Sequence, residues 1–443
     1  MNTTPTSAAV GPRVKNPATH TGLDGFRGRV RGRVLLLLCA MYFITYVDRV
    51  NIATAAPFIK HDLGLSNSEL GMVLSAFAIP YAFFQIFGGL LGDRFGPRKV
   101  LTVVGIIWAI ATAATGFSIG LASLFAARLA LGFGEGATFP TATHAMAKWM
   151  PPDRRGFAQG ITHAASRLGN AVTPLLVAGC IALYDWRLSF WLFGAISLIW
   201  VFFWNREFRD SPSDHPKMTQ AELDELPREQ WKHEHKRVPW RMLLKRILPV
   251  TFVDFCYGWS LWVFLTWIPS FFEKSYGLDL KNFALFTTLV LCAGVVGDTL
   301  GGMLSDSLLR RTNNLKLARR TNLVVGLLGS LVFIMPVLFI HDLWVAAICL
   351  SLSFFFLELT NAVLWAIPMD IAPRHSGVGG GLMNTGFGIA GILSPMLFGF
   401  MLDLTSSWTI PFAVSATLLF IGAMVSLGID PRPMAEEPQQ APA

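Results

Sequence analysis

Apolar residues fall in long blocks along the 443-residue chain, and each block is closed by a short cluster of Gly, Pro or charged residues. About 20 such residues make an α-helix long enough to cross a ~30 Å hydrocarbon core. The pattern predicts twelve helices, near 34–57, 68–92, 99–118, 121–147, 156–181, 187–205, 248–272, 283–308, 321–340, 343–367, 377–402 and 409–429. One longer polar stretch, 206–247, follows the sixth helix and is rich in Lys, Arg, Glu and His. The expected organisation is a disordered tail over 1–33, a six-helix bundle over 34–205, a linker over 206–247, a second six-helix bundle over 248–429 and a tail over 430–443.

Composition supports an all-α membrane protein: hydrophobic residues make up 53% and charged residues 14%, with mean hydropathy +0.50. Repetition of the apolar blocks excludes a secreted chain with one signal segment. The net charge of +8 raises nucleic acid as a partner, but the basic residues are placed by topology. With a cytoplasmic N-terminus, 29 of the 36 Lys and Arg residues lie on the inner side, and only Lys60, Arg187, Lys274 and Lys281 on the outer. The expected location is the inner cell membrane, with both termini cytoplasmic and no nucleic-acid partner. The five cysteines all lie in apolar segments without metal-ligand spacing and read as packing residues.

The two halves repeat. "RGFAQGITHAASRLGNAVTP" (155–174) aligns without a gap on "SGVGGGLMNTGFGIAGILSP" (376–395), matching Gly156 with Gly377, Gly160 with Gly381 and Pro174 with Pro395. "GGLLGDRFGPRK" (88–99) is echoed by "GGMLSDSLLRR" (301–311). Such repeats mark transporters whose site lies between the halves near the midplane.

Five ionisable residues stand inside predicted spans: Asp48, Arg49, Arg128, Glu135 and Arg167. Each costs about 2.5–3.5 kcal/mol at the bilayer centre on insertion scales, so they face protein or a wet cavity. Arg128 and Glu135 are seven residues apart and share a helix face; Tyr42, Tyr46, Arg49 and Ala53 share another, with Asp48 turned about 100° away. Two readings stand side by side: ion pairs that fix helix register, and a site for an organic anion. Three arginines against two carboxylates leave one positive charge over, which suits the second.

In the repeat, His163 superposes on Asn384 and Arg167 on Gly388. His163 and Asn384 are candidate ligand contacts, and Gly388 either leaves room for Arg167 or allows close helix packing. Tyr46, Tyr81, Tyr257, Trp259 and Trp365 are candidate aromatic contacts, Tyr81 and Trp365 because prolines lie beside them. Asp254 and Glu358 are second-tier candidates. Asp93, Arg94 and Arg98, with Asp306 beside Arg310 and Arg311 as a weaker copy, are expected to gate the inner side. His233-Glu234-His235 lacks further ligands at metal spacing and reads as a solvated face.

"GGLLGDRFGPRK" resembles the loop signature of the major facilitator superfamily, and "RLALGFGEGATFP" (128–140) resembles the fourth-helix signature of its anion:cation symporter family. The resemblance covers about residues 34 to 429 and implies a twelve-helix fold of two pseudo-symmetric bundles. It further implies that Arg49 and Arg128 hold an organic anion while Asp48 and Glu135 carry protonation. The seventh span, "FVDFCYGWSLWVFLTWIPSFF", departs from the vesicular carriers of that family by lacking their arginine, and Arg167 stands on the fifth span instead.

No P-loop, nucleophile or metal constellation indicates an enzyme or an ATPase, and no cofactor is expected. Energy is expected from a proton gradient, with sodium as the alternative ion. The leading expectation is proton-coupled uptake of a sugar acid, dicarboxylate or aromatic acid by a monomeric carrier in the lipid bilayer. A drug or metabolite exporter of the same fold is the alternative.

Overall fold

The structure, a computed structural model, describes residues 30–150, 155–226, 239–372 and 376–434. Most of the expected tails, part of the linker with His233 to His235, and the side chain of Asp93 lie outside the described residues.

The first bundle contains α1 (Val30–Leu63), α2 (Asn67–Ala76), α3 (Ala78–Phe95), α4 (Pro97–Thr115), α5 (Leu121–Gly136), α6 (Thr138–Trp149), α7 (Arg155–Leu183) and α8 (Trp186–Glu207). A short α9 (Gln220–Asp224) lies in the linker. The second bundle contains α10 (Trp240–Thr266), α11 (Ile268–Tyr276), α12 (Leu280–Thr312), α13 (Leu315–Ile334), α14 (Leu343–Glu358), α15 (Asn361–Ile371), α16 (Ser376–Thr405) and α17 (Thr409–Ser426). Among the described residues, ten segments are long and apolar enough to cross a membrane. The divided segments 67–95 and 121–149 bring the crossings to twelve.

Prolines explain three of the divisions. Pro80, Pro140 and Pro269 have no N–H to donate to the carbonyl four residues back. The helices end there, at Ala76, Gly136 and Thr266. The chain resumes its direction at once, so each division interrupts the backbone ladder inside a continuous crossing.

The first helix starts earlier than its hydropathy indicates. Its polar opening is docked on carboxylates: Arg31 Nη2 donates to Glu225 Oε2 at 2.6 Å, and Arg33 Nη1 lies 2.8 Å from Glu207 Oε1. The linker thus folds back against the first bundle, and we call this end of the molecule the linker face.

The bundles are joined by hydrogen bonds at the opposite, far face. Asp403 of α16 accepts from the backbone N–H groups of Asn67 and Ser68 at 3.2 and 2.6 Å, and from their side chains at 2.7 and 2.6 Å. A carboxylate from one bundle therefore caps the first turn of a helix in the other. Deeper along this seam Phe77 meets Trp262 and Phe58 meets Phe283.

At the linker face two of the expected gate residues hold partners within their own bundle. Arg98 binds Asp210 and Asn205. Asp306, expected beside Arg310 and Arg311, instead pairs with Arg319 of α13 at 3.2 Å, and Arg319 also holds Asp370 at 2.8 Å. Arg310 and Arg311 are exposed on the last turn of α12, where water and the helix C-terminus satisfy them. Arg94 is exposed and lies over the Phe95 ring.

Candidate functional site

Glu135 is flanked by Gly134 and Gly136, and both glycines are needed for helix approach. A methyl group on Gly134 would come within 2.8 Å of the Trp108 backbone nitrogen on α4, and one on Gly136 within 2.8 Å of Phe84 Cβ on α3. The two small residues let α4 and α3 close on α5 from either side, which seals Glu135 completely. Its partner arrives from α1: Arg49 Nε donates to Glu135 Oε2 at 3.0 Å.

Four rings surround the Arg49 guanidinium, those of Tyr46 and Tyr81 at 4.6 Å and those of Phe77 and Phe139 at 5.2 Å. Cation–π attraction and the single ion pair hold a desolvated charge that would otherwise be costly. Phe77 also lies 5.2 Å from the Arg128 guanidinium, so one ring spans both arginines. Phe77 and Phe139 are absent from the sequence candidates. They sit next to the proline breaks that brought Tyr81 into view, and the same signal would have found them.

The hydrogen-bonding capacity of this cluster is only partly used. Arg128 is buried, and its Nε and Nη1 have no hydrogen-bond partner; the same holds for Arg49 Nη2, Glu135 Oε1 and both oxygens of Asp48. Asp48 is turned toward Thr112 of α4, while Arg49 points into the ring of aromatics. The roughly 100° between these neighbours on one helix thus sends them to different surroundings.

Arg167 forms a second cluster, one that joins the bundles. Its Nε lies 3.1 Å from Asp298 Oδ2 on α12 and its Nη2 3.0 Å from Glu358 Oε2 on α14. Tyr257 donates to the same Glu358 oxygen at 3.3 Å, and Asn361 Nδ2 to Asp298 Oδ1 at 3.0 Å. This changes the charge count. With Asp298, Glu358 and the buried Asp254 included, five carboxyl groups accompany the three arginines, so a spare positive charge does not describe the site.

Asp298 was missed by sequence reasoning. Its signal was present: a lone charge beside Gly297 in an apolar span, as Glu135 is beside its own glycines. Asp254 accepts from the Phe387 backbone N–H at 3.1 Å, which gives it a structural partner on α16.

The remaining candidates separate. His163 packs edge-on against Tyr42, with ring centroids 5.6 Å apart, one turn from Arg167. Tyr257 belongs to the Arg167 cluster. Trp259 faces away from it: a buried indole needs an acceptor, and its Nε1 donates to Ser415 of α17 at 3.2 Å. Gly388 does not face Arg167; a methyl there would meet Ala82 Cβ of α3 at 2.8 Å, so this glycine serves close packing between the bundles. Asn384 is half-buried one turn earlier on α16, and Trp365 is exposed beside Gly380.

Comparison with known proteins agrees with this architecture. The Major Facilitator Superfamily model matches residues 38–395 and 314–443. A probable sulfoacetate transporter of Cupriavidus necator is 52% identical over 420 residues, covering 94% of this chain and 97% of that one. The hexuronate transporter of Bacillus subtilis is 31% identical over 397 residues, covering 88% and 92%. Among solved structures, a bacterial homolog of the human lysosomal transporter Spinster superposes with TM-score 0.74 at 17% identity, covering 91% of this chain and 97% of that one. The family match over most of the chain, the twelve crossings in two bundles and relatives named as organic-anion transporters place this multi-pass membrane protein in the Major Facilitator Superfamily, as a transporter of the organic-acid permease type.

Proposed function

We propose that the protein imports a small organic anion together with a proton across the inner membrane, by alternating access. The observation that carries this is the sealed cluster in which Arg49 and Arg128 keep unpaired N–H groups beside the carboxyls of Asp48 and Glu135. An arriving carboxylate or sulfonate takes the free N–H groups of Arg128 and draws charge from Arg49. The Arg49–Glu135 pair weakens, and Glu135 and Asp48 then favour a proton over bare charge beside a second anion. Anion and proton help each other bind, and the coupling is reciprocal. Tyr46, Tyr81 and Phe139 supply apolar surface to the ligand's carbon skeleton.

The positive-inside distribution supports a cytoplasmic linker face. Asp403 ties the bundles together at the far face, which fits a state of the cycle closed on that side. Exchange of the anion needs only the rocking of one bundle against the other, and a monomer suffices.

A second reading, proton antiport of a cationic compound, draws on the carboxyl groups of Asp254, Asp298 and Glu358. A thermal-shift screen of the purified protein at two pH values separates the two. Stabilisation by organic acids that grows at the lower pH supports anion–proton symport; stabilisation by organic cations that fades at the lower pH supports the exporter.

A further inference from the structure

We propose that the substrate carries two acidic groups and that Arg167 is the residue that selects for the second. This rests on the anion-transport reading above and assigns the ligand's far end. Arg167 belongs to the first bundle by sequence, yet both of its ion-pair partners belong to the second. A ligand bound to it touches both bundles at once. Its side chain is 7% exposed, and Nη1, at one tip of the guanidinium fork, is buried without a hydrogen-bond partner.

Tyr46 lies near both clusters. Its ring sits 4.6 Å from the Arg49 guanidinium, and Arg167 is within electrostatic reach of the same side chain. Tyr46 is only half-buried, so part of its side chain is left uncovered by protein. One acidic group binds Arg128 and Arg49; the chain of the ligand lies along Tyr46; the other acidic group takes Nη1 of Arg167.

Asp298 and Glu358 make this second position selective. They already occupy Nε and Nη2, so a ligand with one acidic group has nothing to offer Arg167, and a polar neutral end meets two carboxyls instead. A second acidic group competes with Glu358 for the fork, and success loosens an ion pair that ties the bundles together. Occupation of the far subsite is thereby linked to movement of one bundle against the other.

The test uses matched pairs of acids on the purified full-length protein: sulfoacetate against acetate, and glucarate against glucuronate. The quantity read is the ratio of dianion to monoanion affinity. Wild type is expected to prefer each dianion, and Arg167→Gln to lower the ratio by roughly tenfold to a hundredfold, the range of a lost charge-assisted hydrogen bond. Glu358→Gln is expected to raise it, since a competitor for the fork is weakened. Should Arg167→Gln alone fail to fold, Arg167→Gln with Glu358→Gln removes one charge of each sign and reads the same loss. A wild type that binds these acids without preferring the dianions, or an Arg167 variant that keeps the wild-type ratio, overturns the proposal while leaving anion transport standing. Absence of binding for every acid overturns both.

Discussion

Arg49 and Glu135 lie 86 residues apart in the chain and meet at 3.0 Å, with neither side chain open to solvent. The pair is possible because glycines on both sides of Glu135 bring three helices around it, and because four aromatic rings accept the guanidinium. A buried pair of this kind contributes little net stability over an apolar substitute. Its retention fits a site whose charges must change partner during a cycle.

Glu135→Gln removes the proposed proton carrier but keeps the shape of the side chain. Gradient-driven uptake is expected to fall by about 5- to 150-fold, the range of a typical coupling free energy, while exchange of anion between the two sides persists in part. Net uptake and counterflow measured on the same vesicles check this. Equal loss of both would make Glu135 a structural residue.

Arg128→Lys retains charge but loses the planar fork. If the unpaired Nε and Nη1 are the donors for the ligand, affinity is expected to fall about tenfold or more, with the folded state preserved. Calorimetric titration with the bound acid gives the number directly. An unchanged affinity would mean that a point charge is enough.

Gly134→Ala drives a methyl group to within 2.8 Å of the Trp108 backbone nitrogen, against a helix that cannot shift alone. A loss of about 1–3 kcal/mol is expected, visible as a lower unfolding temperature. Gly160→Ala is the contrast: no atom lies within 4 Å of the added group, so the change is expected to stay within about 0.5 kcal/mol.

These glycines show where the sequence could be read and where it could not. The crossings and the isolated charges of the first, fourth and fifth spans were legible, because bilayer thickness and ion desolvation act on local composition. The early start of α1 was not, since Arg31 and Arg33 look like tail residues until Glu225 and Glu207 are brought to them. The partners of Arg167 were hidden for a related reason. Which of the carboxyls on the eighth and tenth spans meets the fifth depends on helix rotation between bundles, and no local pattern fixes that. The repeat placed Gly388 opposite Arg167 in alignment, but the pseudo-symmetry relates positions in the two halves without making them neighbours.

Asp403→Asn weakens the cap that the second bundle places on α2. Four hydrogen bonds converge on its carboxylate, and the charge itself favours a helix N-terminus by about 0.3–1 kcal/mol. The closed far face is expected to lose about two- to fivefold in population, on the same free-energy scale. Distances between spin labels on the far ends of the two bundles report it; a distribution identical to wild type would show that the apolar seam alone keeps this face shut.

The most direct test of the account is uptake by proteoliposomes holding the purified protein under an imposed inward proton gradient. With sulfoacetate, hexuronates, aldarates and aromatic acids as a panel, accumulation of at least one anion above its external concentration is expected, and it should collapse when a protonophore dissipates the gradient. Failure of the gradient to drive uptake of any member of the panel would contradict proton-coupled anion import.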